Sequence, residues 1–202
     1  MSWGAGATVT AAVEGDIDET VVRRVLEHAG FNLGTVHGRL GKARLLTSLP
    51  GYNSAARHAP WIVLVDLDRD CDCAPTCIRQ WLPHASEKMC FRAAVRAIEA
   101  WLLADRERIA RFLGISENRV PRNPDELNNP KQVLVNLARD SRHAGVRQDI
   151  VPNARSGRAV GPLYNLRMIE FIEDKANGWR VDEAAGVSES LGRWVNRLTD
   201  FI

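Results

Sequence analysis

The chain has no stretch approaching the roughly 20 apolar residues of a membrane-spanning helix. Its opening residues, MSWGAGATVT, contain no basic region followed by an apolar run and a cleavage site. No signal peptide is expected, and the protein reads as cytoplasmic. Net charge is small, +2 from 27 Lys and Arg against 25 Asp and Glu. That excludes the wholesale commitment to nucleic acid or anionic membrane that a strongly basic chain makes. Cysteine is scarce: Cys71, Cys73, Cys77 and Cys90, the first three within CDCAPTC. Cys-x-Cys-x3-Cys lacks the paired CxxC knuckles of structural zinc, and no His follows at the usual spacing. The cysteines are expected to be ordinary reduced thiols, with a redox or disulfide role and metal binding as lesser alternatives. Internal repeats and low-complexity segments are absent, and the 5 histidines share no spacing that suggests a role.

What is present is an ordinary globular composition over 202 residues, 45% hydrophobic and 26% charged, enough for one domain with a modest appendage and a true core. The charge is unevenly spread. Acidic residues crowd Glu14 to Glu19 and Asp66 to Asp72. From Lys131 to Arg167 the chain carries Lys131, Arg139, Arg142, Arg147, Arg155, Arg158 and Arg167 against only Asp140 and Asp149. Metal-assisted chemistry on a polyanion needs such a division, although an uneven solvated surface produces it equally well.

Short apolar runs alternate with helix-period segments, which predicts an α/β fold. Residues 7–13 read as a buried strand. A helix over 18–29 follows, with Val21, Val22, Val25 and Leu26 as its apolar face, Asp16 or Asp18 as its cap and Gly30 as its stop. A second strand is expected near 31–36 and a short helix over 43–49. WIVLV (61–65) is the clearest strand, apolar throughout and bounded by Pro60 and Asp66. A helix over 75–82, a strand over 89–95 and a helix over 98–112 stopped by Gly114 come next. Residues 116–130, with Pro121, Pro124 and Pro130, read as loop. Helices are expected over 131–139, 162–174 and 188–198, and 141–160 shows no period. Trp61, Trp101 and Trp194 fall in apolar patterns and are assigned to the core, while Trp3 sits in a Gly-rich tip that reads as mobile. The expected division is an α/β core over 1–115 and a Pro/Arg-rich loop with a helical extension over 116–202.

Chemistry concentrates at strand ends. In an open parallel sheet, ligands bind outside the carboxyl ends of the strands. Glu14 follows the first strand, and Asp66, Asp68 and Asp70 follow WIVLV. If those strands are neighbours, Glu14 and Asp66 face one crevice, and Asp66 and Asp68 can converge on one cation. Magnesium takes one or two carboxylates with waters and substrate phosphate, and crowded carboxylates repel unless a cation joins them. A solvated Asp-rich turn is the competing reading of DLDRD.

A strand ending in Val13-Glu14-Gly15-Asp16-Ile17-Asp18, a helix, then an apolar strand ending in Asp66-Leu67-Asp68 resembles the TOPRIM domain of topoisomerases, bacterial primases, recombination-repair proteins and OLD-family nucleases. FRAAVRAIEAWLLAD (91–105), Asn129-Pro130-Lys131 and Gly161 to Asn165 extend the likeness to small standalone bacterial TOPRIM-like proteins related to the OLD nucleases. The resemblance implies a Rossmann-like, largely parallel sheet flanked by helices, with a C-terminal helical extension packed on it. It further implies metal-dependent phosphodiester hydrolysis on DNA or RNA with Mg2+ or Mn2+, and action with an ATPase partner in defence against phage or plasmids. Under it Glu14 is a general acid/base or metal ligand, and Asp66 and Asp68 are metal ligands. Asp70 matches no position the family requires and is a secondary candidate, and Glu99 is read as a ligand for a second metal or as an ordinary buried, hydrogen-bonded carboxylate. Asp105 falls about 240° round the helix from Glu99 at ~100° per residue, so it is read as structural.

Lys131 is a candidate to offset phosphate charge, or a surface lysine opening a helix. Arg139, Arg142, Arg147, Arg155 and Arg158 are candidates for a nucleic-acid backbone, or for a partner protein. Two rival functions stay open. A haloacid-dehalogenase-like phosphatase would use Asp66 as nucleophile and Asp68 as acid, but leaves Glu14-Gly15 unexplained. A non-enzymatic adaptor or sensor would keep the fold and bind an ATPase or nucleic acid.

Overall fold

The computed structural model describes residues 3–71 and 73–201; Asp72 of the acidic stretch lies outside the described residues. The fold is α/β, and the chain forms two compact units, Met1–Val95 with Ser190–Ile202, and Arg96–Glu189.

In the first unit β1 (Thr8–Val13), β2 (Asn32–Gly38), β3 (Trp61–Asp66) and β4 (Met89–Ala94) form one four-stranded sheet in the order β2-β1-β3-β4. Every pairing is parallel. Parallel neighbours need crossovers, which α1 (Asp16–His28), α2 (Lys42–Ala55) and α3 (Ala74–Trp81) supply. With helices on the sheet, a central strand has no wet face, which is why WIVLV is apolar at every position. Trp61 is 8% exposed and Ile62 to Val65 are fully buried. Ala12, Trp61, Val63, Val65, Phe91 and Ala93 pack with Leu45 and Leu49 of α2 and Cys77 of α3. Ala11, Val13, Ile62 and Leu64, of opposite parity, point to the other side and are equally buried. Each buried Val, Leu or Ile of this set contributes about 1.5–3 kcal/mol relative to leaving it in water. The last helix of the chain, α10 (Glu189–Thr199), brings Trp194 and Arg197 beside Cys90 of β4.

Several sequence expectations are corrected in this unit. The cap of α1 is the backbone of Gly15; Asp16 and Asp18 lie in its first turn with Glu19, where carboxylates favour the positive helix end. Helix α2 does not stop at residue 49 but runs through Pro50 to Ala55. Its second half is held from outside: the Asn53 side chain accepts from the Ser86 amide and donates to the His84 carbonyl, and Tyr52 stacks on Trp61. Trp3 is anchored rather than loose, stacked on Phe201 at 4.1 Å and edge-on to Phe31. The cysteines are not all thiols. Cys71 and Cys77 form a disulfide, their Cα atoms 6.0 Å apart, leaving Cys73 exposed and Cys90 buried as free thiols. Cys77 lies on the core face of α3, and the chain leaving β3 passes close enough to it for a disulfide to form.

The second unit is helical: α4 (Glu99–Ala104), α5 (Arg106–Leu113), α6 (Pro130–Arg139), α7 (Ala144–Ile150), α8 (Tyr164–Glu173) and α9 (Val181–Val187). Short 3-10 turns occupy Glu117–Arg119 and Pro124–Glu126 within the expected loop. The single helix predicted over 98–112 is broken at Asp105, which leaves helical geometry at φ −83°, ψ 74°. Its buried carboxylate accepts from the Arg108 amide, capping α5, and from the Arg180 backbone, Nε and guanidinium. A buried charge needs such a partner, and meeting it costs the helix its continuity. Gly114, in the left-handed region at φ 65°, ends α5 as its sequence position implied. Among the described residues no helix is long and apolar enough to cross a membrane.

Gly38 ends β2 at φ +91°, where an added Cβ would stand 2.3 Å from the Val13 carbonyl oxygen, whereas Gly41 at φ +78° opens onto free space. Gly38→Ala is expected to cost well over the ~1–2 kcal/mol of the left-handed penalty alone, and Gly41→Ala to cost about that penalty. Denaturant unfolding of the two variants side by side tests this, and equal losses would refute the close approach of β2 to β1.

Candidate functional site

The strand order places a reversal at β1. The chain moves from β1 outward to β2, then crosses back to β3 on the opposite side of β1. A sheet wound this way opens a crevice at the carboxyl ends of the two strands flanking the reversal. Glu14 follows β1 and Asp66 ends β3, so the neighbour condition set by sequence is met. The Asp66 amide donates to Glu14 Oε1 at 2.8 Å, which locks the glutamate side chain across the two strand ends. Both residues are partly exposed.

Beyond Asp66, Leu67 turns into the core and its amide continues the ladder to the Ala94 carbonyl. Asp68 takes a left-handed backbone at φ 50°, a conformation that Asp tolerates better than most residues. Its side chain and that of Asp70 are met by a residue to which sequence reading gave no role. Lys42, at the start of α2, places Nζ 3.1 Å from Asp68 Oδ2, 2.6 Å from Asp70 Oδ2 and 3.3 Å from the Leu67 carbonyl. The same ammonium lies 5.3 Å from the centre of the Trp81 ring. Partial burial pulls the Lys42 ammonium down, but its hydrogen bonds to Asp70 and Asp68 and their charge outweigh this and raise its pKa. Asp68 and Asp70 are 58% and 47% exposed, so each pairing is worth about 1 kcal/mol or less. The only advance signal was a basic residue in the Gly-rich loop GRLGKAR; its partner depends on tertiary structure.

Among the described residues no group of three or more His, Cys, Asp or Glu side chains is placed to hold a metal ion. The donor set at the strand ends still fits magnesium in kind, because hard carboxylate oxygens from Glu14 and Asp66 are the one or two that such an ion takes alongside water and phosphate. Asp68 and Asp70 already have a cation in Lys42.

In the second unit Glu99 opens α4 and is 1% exposed. Its Oε1 accepts from the Tyr164 hydroxyl at 2.9 Å and lies 3.3 Å from Lys131 Nζ. Three segments singled out in the sequence thus meet at one carboxylate. Glu99 Oε2 is buried with no hydrogen-bond partner among the described residues. An orphaned buried carboxylate oxygen is costly unless a further group joins it, and that fits the ligand role expected for Glu99 as well as it fits a structural carboxylate held by Tyr164 and Lys131. Tyr164 lay within a quoted motif but carried no expected role.

The five arginines divide by what they touch. Arg142 Nε donates to the Gly114 carbonyl and Arg147 to the Ser141 carbonyl, so both brace the backbone. Arg139 and Arg147 line a surface cavity of about 480 Å³ with Gln148 and Pro152. Arg155 and Arg158 are exposed on turns organised by Asn153 and Ser156.

Tyr164→Phe removes the hydroxyl that donates to buried Glu99 with little change in volume. It is expected to destabilise the protein by roughly 1–3 kcal/mol, read as a lowered denaturation midpoint; an unchanged midpoint would show that the hydroxyl does not satisfy Glu99.

Compared with protein-family models, curated proteins and solved structures, the chain gives no significant match to any of them.

Proposed function

We propose that the chain is a metal-dependent phosphodiesterase of nucleic acid, TOPRIM-like in its site, acting in the cytoplasm. The observation that carries this reading is the placing of Glu14 and Asp66 across the reversal of a parallel sheet, joined by the hydrogen bond from the Asp66 amide. In this reading Glu14 and Asp66 hold Mg2+ or Mn2+, and Asp68 joins them by giving up Lys42, with Asp70 next in line. A bound divalent ion supplies charge for the scissile phosphate and acidifies a water. Glu14 moves the proton, its position held by the Asp66 amide. In the second unit, Glu99 is assigned a ligand role for a further ion and Lys131 the neutralisation of phosphate charge. Arg139, Arg155 and Arg158 are assigned to the nucleic-acid backbone; Arg142 and Arg147 keep at most a share of that role, since each also braces a carbonyl. An ATPase partner, and defence against phage or plasmids, follow from the sequence resemblance.

A second reading rests on Lys42. A fixed ammonium on Asp68 and Asp70 does the work of a bound cation, and a site that carries its own cation suits an adaptor or sensor that has kept the fold without the reaction.

Calorimetric titration of Mg2+ and Mn2+ separates the two. The catalytic reading expects binding that is lost in Asp66→Ala/Asp68→Ala, and metal-dependent cleavage lost in Glu14→Gln. No binding by the wild type, with or without an added oligonucleotide, favours the adaptor. Lys42→Met adds a directional test: if Asp68 exchanges Lys42 for the ion, removing the ammonium tightens metal binding several-fold. An unchanged affinity removes Asp68 from the ligand set.

A further inference from the structure

Cys71 and Cys77 are six positions apart in sequence and joined by a disulfide, with a free, exposed thiol, Cys73, between them. A disulfide closing so short a loop contributes less to stability than one closing a long loop. In a reducing compartment such bonds are typically transient or redox-active. The position of the third cysteine gives the bond a chemical use. Cys73 caps α3, and its carbonyl accepts from the Cys77 amide at 3.2 Å, so the two residues stand one helical turn apart. Cys73 itself is the extended residue just outside the helix, at φ −133° and ψ 113°, so its side chain is not held in the helical lattice and lies within the same short loop that the disulfide closes. Cys71 is partly exposed and Cys77 almost wholly buried.

We propose that Cys71, Cys73 and Cys77 form a thiol–disulfide exchange site in which Cys73 is the attacking thiol and the Cys71–Cys77 bond its partner. As thiolate, Cys73 Sγ attacks Cys77 Sγ. The Cys73–Cys77 bond forms as the Cys71–Cys77 bond breaks, and the electron pair leaves on Cys71 Sγ, which takes up the proton that Cys73 released. No oxidant or reductant is consumed. An external dithiol takes the site two electrons further, becoming a cyclic disulfide while all three cysteines become thiols.

The surroundings favour the attacking form. The Thr76 hydroxyl and amide beside it, and then the charges of Arg79 and Arg193, hold the Cys73 thiol below its usual range. Cys90, by contrast, is pushed up by burial and takes no part. Thiolate character with exposure distinguishes reactive cysteines from inert ones. The exchange also has a mechanical end. Cys71 adjoins Asp70, which pairs with Lys42, so the choice of isomer decides whether the acidic loop is tied to α3 beside Asp70 or released there. The exchange itself is independent of the proposed hydrolytic function.

Non-reducing peptide mapping by mass spectrometry tests it, after native protein at mildly alkaline pH is alkylated with iodoacetamide and quenched in acid. Both Cys71–Cys77 and Cys73–Cys77 linkages are expected, with the label shared between Cys73 and Cys71 and Cys90 unlabelled. Cys73→Ser, at an exposed position, should keep the wild-type circular dichroism, show only Cys71–Cys77, and be reduced by dithiothreitol several-fold more slowly. A single Cys71–Cys77 linkage with label on Cys73 alone would overturn the proposal. So would label on all three cysteines, or equal reduction rates for wild type and Cys73→Ser.

Discussion

An all-parallel sheet delivers every strand's carboxyl end to one edge, and that constraint organises the sheet unit. Each crossover must climb back along the sheet as a helix, so the residues that follow β1 and β3 gather at the same edge whatever their distance along the chain. The order β2-β1-β3-β4 makes β1 and β3 immediate neighbours, with the crossovers on either side of them diverging. Glu14 and Asp66 are thereby brought together by topology, and one backbone-to-carboxylate hydrogen bond fixes their relation. The close pass of Gly38 against Val13 belongs to the same packing, since β2 must hug β1 up to the residue before Glu14.

Pairing of carboxylates is the second organising demand, and each unit meets it with its own cations. Asp105 takes Arg180 through both carboxylate oxygens and gives up helical geometry to do so. Glu99 takes Lys131 and the Tyr164 hydroxyl on one oxygen only. The exposed aspartates after β3 take Lys42. The difference in burial sets the stakes: loss of Arg180 would leave the buried Asp105 carboxylate without its cation, a costly state, whereas the Lys42 pairs can be exchanged for another cation at small cost.

Local pattern foretold those elements whose stability is local or two-faced. The strand WIVLV, the helix after Glu14 and the stop at Gly114 are all written in apolar runs, period and glycine. What escaped the sequence is what tertiary contact decides. Helix Ala144–Ile150 buries only Val146 and Ile150, too few positions to show a period. The break at Asp105 depends on an arginine 75 positions away. The helix expected over 43–49 runs on through Pro50 because Asn53 and Tyr52 anchor its second half from outside, contacts that local pattern does not show. The acidic residues were legible as a set, but the lysine that neutralises two of them had no spacing relation to betray it. The disulfide was missed because pairing follows Cα separation, which spacing alone does not supply.

The path of the chain has a consequence for its synthesis. The unit that contains the sheet is assembled from residues up to Val95 and again from Ser190 onward, with the helical unit spliced between. Trp3 stacks on Phe201, and α10 lies beside Cys90 of β4. A ribosome therefore releases the helical unit as one continuous stretch, while the sheet still lacks α10. The strands emerge early and α10 emerges late, so the loop that joins them closes only after the helical unit has been synthesised, at an entropic cost that rises slowly with its length. Until then the residues of β4 beside which α10 packs, Cys90 among them, are without that cover.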